Sequence, residues 1–138
     1  MREANLYTLS RLSELHFIFA GFFDADPLVF IRLGHAARPY RTMARIARMA
    51  PWPLSNAVIA HIGDIHRAEQ FERRMFHRLR AHRTYGDWFC FDGSAGLDFA
   101  DVARLTYAEC TGRRLQWRHM ALPSATRATA QDLTRQNL

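Results

Sequence analysis

Leu15-His16-Phe17-Ile18-Phe19-Ala20-Gly21, Asp24-Ala25-Asp26-Pro27 and Leu28-Val29-Phe30-Ile31-Arg32-Leu33 follow one another almost without a break. The first and last runs are rich in aromatic and branched residues, which suit a pleated surface, and the acidic, proline-bearing stretch between them is a turn signal. Two apolar strands around a turn make an antiparallel hairpin the simplest arrangement, with the first strand ending at Gly21 and the second at Gly34. Beyond it the period changes. Residues 37–50 place Met43, Ile46, Ala47 and Ala50 on one side and Arg41, Arg45 and Arg48 on the other, as an amphipathic helix does. Pro51-Trp52-Pro53 ends that helix, because a proline ring removes a backbone donor and restricts the residue before it. Residues 57–62 read as a third strand closing at Gly63, and Asp64 is placed to cap a long helix over residues 64–83.

Towards the other end the signals are sparser. Trp88-Phe89-Cys90-Phe91 is a compact aromatic run, strand-like or extended. Asp98 is expected to cap a helix through Ala108, with Gly112 near its end. Residues 126–137 have weak helical character, suited to docking on a partner or to fraying. Residues 4–15 read as a short helix or strand feeding the core.

Composition sets the frame. A chain of 138 residues fits one domain and can bury roughly two-thirds of its unfolded surface, enough for a proper core. Nineteen basic against 13 acidic residues give a net charge of +6, and the computed pI is about 10.3, which favours acidic partners such as nucleic acid. All 19 are arginine, whose forked guanidinium suits phosphate. Cys90 and Cys110 lack metal-type spacing, and no charged leader precedes an apolar run, so a reduced, cytoplasmic protein is expected. No apolar run approaches the roughly 20 residues needed to cross a bilayer, so no membrane partner is expected.

Glu72 is the informative charge. Ala68, Phe71, Met75, Phe76 and Leu79 recur at helical spacing, and Glu72 falls among them. An unpaired carboxylate out of water costs several kcal/mol, so such a residue is neutralised, paired or bound to a metal. The plainer alternative is a side chain at the stripe's edge that reaches solvent or pairs with Arg73 or Arg74.

Taken in order, His16-Phe17-Ile18, Ile31-Arg32-Leu33-Gly34-His35, Pro39, Glu72 and Gly86-Asp87-Trp88-Phe89 resemble the GIY-YIG nuclease superfamily, in particular its phage-associated branch. The resemblance covers about residues 15 to 91, and its order and spacing are more specific than any single element. It implies an α+β fold, a small three-stranded antiparallel sheet flanked by helices, with a phosphodiesterase site on one face. Residues 15–92 would form that domain, residues 1–14 an N-terminal extension, and residues 93–138 a helical C-terminal extension packed on it or binding a partner.

The family's glutamate binds one divalent metal, usually Mg2+, which offsets charge on the scissile phosphate; a tyrosine or histidine helps activate water and an arginine steadies the phosphate. Glu72 matches that glutamate. Elsewhere the motifs have changed: His16 stands where the first motif has tyrosine, and Arg32 where the second has tyrosine or lysine. Thr42 occupies the arginine position, with Arg41 one residue earlier and rotated by about 100° around the helix. Phe76 replaces a histidine, with His77 beside it, and Asp87 replaces the Glu of the tail motif. By this resemblance His16 or His35 would assist water, Arg32 or Arg41 would steady the phosphate, and Glu72 would hold Mg2+ if the site is active. Loss of catalysis is favoured over its survival, because base and cation have both been substituted or displaced.

Arg41, Arg45 and Arg48, with Arg38 to the side, have the geometry of a phosphate-tracking face, and Arg78 and Tyr85 are further candidates for nucleic-acid contact. A solvated helix face explains the stripe equally well. Seven histidines form no zinc pattern, and Trp52, Trp88, Phe89 and Phe91 read as packing. Two readings follow: a nucleic-acid-binding protein, with DNA the expected nucleic acid, carrying an altered Mg2+-dependent endonuclease site; or a catalytically dead phage or mobile-element protein that binds and inhibits a host protein complex.

Overall fold

The computed structural model describes residues 15–92 and 96–122, and in it the opening hairpin outruns its apolar cores. Strand β1 spans His16–Ala25 and β2 spans Leu28–Ala36, joined by the tight turn at Asp26 and Pro27. Gly21 and Gly34 therefore lie within strands, where the sequence suggested ends. Both mark close approach. A Cβ on Gly34 would lie 2.5 Å from the Phe19 ring, and one on Gly21 would lie 2.6 Å from Cε of Met43. Both side chains are fully buried, but the ring is rigid while an unbranched methionine can change rotamer. Gly34→Ala should therefore destabilise the protein by about 1–3 kcal/mol and Gly21→Ala by less, measurable by urea denaturation; equal losses would contradict this packing.

Strand β1 is central and pairs antiparallel with both β2 and β3, the latter spanning Leu54–Gly63. The aromatic run becomes β4, Trp88–Asp92, which pairs with Leu28 to Arg32 of β2. Arg118–His119 forms β5 against Val58 and Ile59 of β3. The described residues thus hold a five-stranded antiparallel sheet in the order β4-β2-β1-β3-β5, correcting the expectation of three strands. Two residues in β5 are too few for alternation to announce a strand.

Helix α1 is Pro39–Met49, α2 is Ile65–Arg78 and α3 is Gly96–Thr111. Proline opens α1, where its missing N–H would have had no helical partner. Asp64 caps α2, its Oδ1 accepting from the Arg67 amide at 2.8 Å. Helix α2 stops at Arg78, short of Arg83, and a single 3-10 turn, Arg80–His82, follows. Asp98 lies inside the first turn of α3 and does not cap it; an acidic residue there is favoured by the helix dipole.

Strand alternation sorts the core into two layers. On one face Ile18, Ala20, Ile31, Leu33, Ala60 and Ile62 meet Phe71 and Met75 of α2 and Phe99, Ala103 and Tyr107 of α3. On the other, Phe19, Phe23, Ala57 and Ile59 meet Met43 and Ala47 of α1. Residues 96–122 share this core, since Phe99, Tyr107, Leu115 and Met120 are all buried. The Tyr107 hydroxyl donates to the His61 carbonyl at 2.7 Å, fixing α3 to β3. The expected extensions over residues 1–14 and 126–137 lie outside the described residues, and no described helix is long and apolar enough to cross a membrane.

Candidate functional site at the edge of β2

The ladder between β4 and β2 stops at Arg32, opposite Trp88, so the last residues of β2 run on beyond it. His35 is among them. It shares a face with Ile31 and Leu33, the face covered by α2. There His35 Nε2 lies 3.2 Å from Glu72 Oε2, with 21% and 19% of the two side chains exposed. His16, at the start of β1, stands beside this pair, its ring centroid 5.5 Å from that of His35.

Arg32 reaches the same edge from the other layer. Alternation assigns it to the face of Phe30, and its Nη2 meets Asp87 Oδ2 at 3.3 Å while its guanidinium carbon lies 5.8 Å from the Trp88 ring centre. From there its charge acts on Glu72.

Burial is the main reason the Glu72 carboxyl is pushed up to about 7; Asp87 and Glu69 push the same way, and Arg32 opposes them. His35 is lowered, first by burial and then by His16, against the pull of Glu69 and Asp87. A carboxyl raised and a neighbouring imidazole lowered are both pushed towards their neutral forms, so burial works against an ionised pair at this contact. Among the described residues, His16 Nδ1, His35 Nδ1 and Arg32 Nε are the buried side-chain nitrogens left without a hydrogen-bond partner. Buried polar atoms are usually satisfied, so three orphans along one edge of the sheet suit a ligand that brings acceptors or a proton.

Does this donor set suit Mg2+? No group of three or more His, Cys, Asp or Glu among the described residues could enclose an ion. Mg2+ often takes only one or two carboxylates and keeps its waters. Glu72, with the negative field of Asp87 and Glu69 around it, is the carboxylate such an ion would use, and His35 Nε2 stands 3.2 Å from it.

The structure therefore gathers His16, His35 and Glu72, with Arg32 acting on Glu72 through its charge. Arg41 is not part of the group: α1 lies on the opposite face of the sheet, and Arg41 is exposed there. Arg38, Arg45 and Arg48 are exposed too, and none of the four pairs with an acidic group among the described residues. Arg78 serves the fold. Its Nη1 donates to Thr106 Oγ1 at 2.7 Å and its Nη2 to Glu109, clamping α2 to α3 and holding the Glu109 carboxyl below its ordinary range. Tyr85 is 85% exposed beside Gly86.

Asp87 and Glu69 were not singled out from the sequence as site residues. Glu69 precedes Glu72 by three residues, a spacing that places both on one side of a helix. Asp87 was visible only as a motif substitution. No protein-family model matches this chain, and neither a curated protein nor a solved structure does, so its function has to be argued from this geometry.

Proposed function

We propose that this protein binds nucleic acid, with DNA as its first ligand, on a GIY-YIG-like scaffold whose Mg2+-dependent phosphodiesterase centre is altered. The observation that carries this reading is the set of exposed arginines along α1: Arg38 at its N-cap and Arg41, Arg45 and Arg48 within it form no ion pair with an acidic group among the described residues. Such a row suits a phosphate backbone.

The Glu72 cluster supplies the altered centre. Glu72 would hold the ion, which when bound would offset charge on a phosphate. The chain's own residues have defined tasks. A lowered His35 is neutral near pH 7 and able to accept a proton, and Arg32 offers its unpartnered Nε to an anionic oxygen. The contact between His35 and Glu72 makes the base and the ligand each other's partner, which supports binding with little turnover.

Two measurements test this. Duplex DNA should be retained at low salt and released steeply as salt rises; no binding at low salt would remove the reading in favour of a protein partner. In a plasmid-nicking assay with Mg2+, any cleavage should be slow and absent from Glu72→Ala. Equal cleavage by both proteins would sink the role given to Glu72.

A further inference from the structure

Beside the arginine row, on the layer away from Glu72, lies a cavity of about 400 Å3, within the range of small-molecule sites. Its floor is aromatic. Trp52 is stacked on Phe30 with ring centres 3.8 Å apart and planes 6° from parallel, and the Trp88 ring meets Trp52 edge-on at 5.8 Å. One wall is the end of α1, through Ile46 and Met49; across the opening stands Tyr85. Met49 is 80% and Tyr85 is 85% exposed, so two large apolar side chains flank the mouth with little of their surface covered.

One cation borders this apolar lining: Arg32, whose Nη2 already meets Asp87 at 3.3 Å and whose guanidinium carbon lies 5.8 Å from the Trp88 ring centre. The helix that supplies the wall also supplies the row. Arg41, Arg45 and Arg48 point outward from α1, while Ile46 and Met49 of its last turns line the cavity. Arg48, next to Met49 in the same last turn, is the member of the row that adjoins this wall along the chain.

We infer that this cavity receives an unpaired nucleobase from a single strand, stacked among Trp52, Trp88 and Tyr85 with its phosphate towards Arg32. This deepens the nucleic-acid reading and rests on it. A planar π-face fits an aromatic floor regardless of base identity, and an adjoining cation answers the phosphate that accompanies each base. A paired base keeps its faces inside the duplex and cannot enter without being turned out.

The test compares a thymidine 12-mer with a duplex of equal length, following intrinsic tryptophan fluorescence and anisotropy of a labelled strand. The single strand should quench tryptophan emission and bind more tightly than the duplex. Tyr85→Ala, at an exposed position that leaves packing intact, and Trp52→Leu should each weaken single-strand binding by about tenfold while leaving duplex binding unchanged. Duplex and single strand bound alike, without quenching and without an effect of Tyr85→Ala, would overturn the cavity's role while leaving the arginine row standing. No salt-sensitive binding of either strand would overturn the underlying reading as well.

Discussion

Replacing Arg41, Arg45 and Arg48 together by alanine should weaken duplex DNA binding by ~10²–10³-fold near 0.1 M salt and flatten the dependence of log K on log salt by about 2.7. The slope change corresponds to three phosphate contacts at about 0.9 each, and the loss in affinity follows from extrapolating that slope down from molar salt. All three side chains are exposed on α1, while Met43 and Ala47 hold the helix to the sheet. The variant should therefore keep its melting temperature, so that lost binding cannot be blamed on lost folding. Anisotropy titrations at four or five salt concentrations give both numbers. An unchanged slope would mean that nucleic acid, if bound at all, takes a path that avoids α1.

Glu72→Gln should make the protein more stable well above pH 7, by about 3 kcal/mol, raising the melting temperature by roughly ten degrees. The sign follows from the direction of the shift. The Glu72 carboxyl titrates at about 7 in the fold against 4.5 ordinarily, so between those values the folded chain keeps a proton that the unfolded chain gives up. Stability then declines as pH rises through that window and stays lower above it. Glutamine keeps the shape and cannot ionise. His35, lowered in the fold, acts in the opposite sense as pH falls below its ordinary 6.5, so the difference between variant and wild type is the quantity to follow. Thermal melts from pH 5 to 9 should show the two curves separating as pH rises. A variant no more stable than wild type at pH 8 would mean that His35 and Arg32 hold the ionised carboxylate well enough to cancel its burial.

Much of the architecture could be read from local chemistry. The hairpin, the α1 stripe, the Asp64 cap and the helix bearing Glu72 all depend on neighbours within a few residues, which a sequence displays. Gly21 and Gly34 were misread because a glycine under close approach looks the same as a strand breaker until Met43 and Phe19 are seen against it. β5 carried too few residues to show a period, and β4 showed its composition without its partner.

The site divides in the same way. His16, His35 and Glu72 meet because two strands and a helix share one face, an arrangement that the order of motifs implied and spacing alone did not. Whether Arg41 joined them depended on which face of the sheet α1 would cover, and helical periodicity carries no such information. Arg78 looked free because its partner Glu109 lies 31 residues further along, on a helix whose docking no local pattern reveals. The cavity beside Trp52 was likewise hidden: its proline-flanked tryptophan reads as packing, and half of it is, through Phe30.

Gly34 joins the two halves of the molecule mechanically. Its missing side chain lets the Phe19 ring press against the backbone of β2 from the α1 layer, and the next residue, His35, holds Glu72 on the other. The height of that one stretch of backbone is thus set by an aromatic ring on the side that carries the arginines, and the gap between imidazole and carboxylate is set by the same stretch. Repacking around Phe19 is therefore expected to alter the reach of His35, because the α1 layer and the Glu72 cluster rest on the same stretch of β2 backbone.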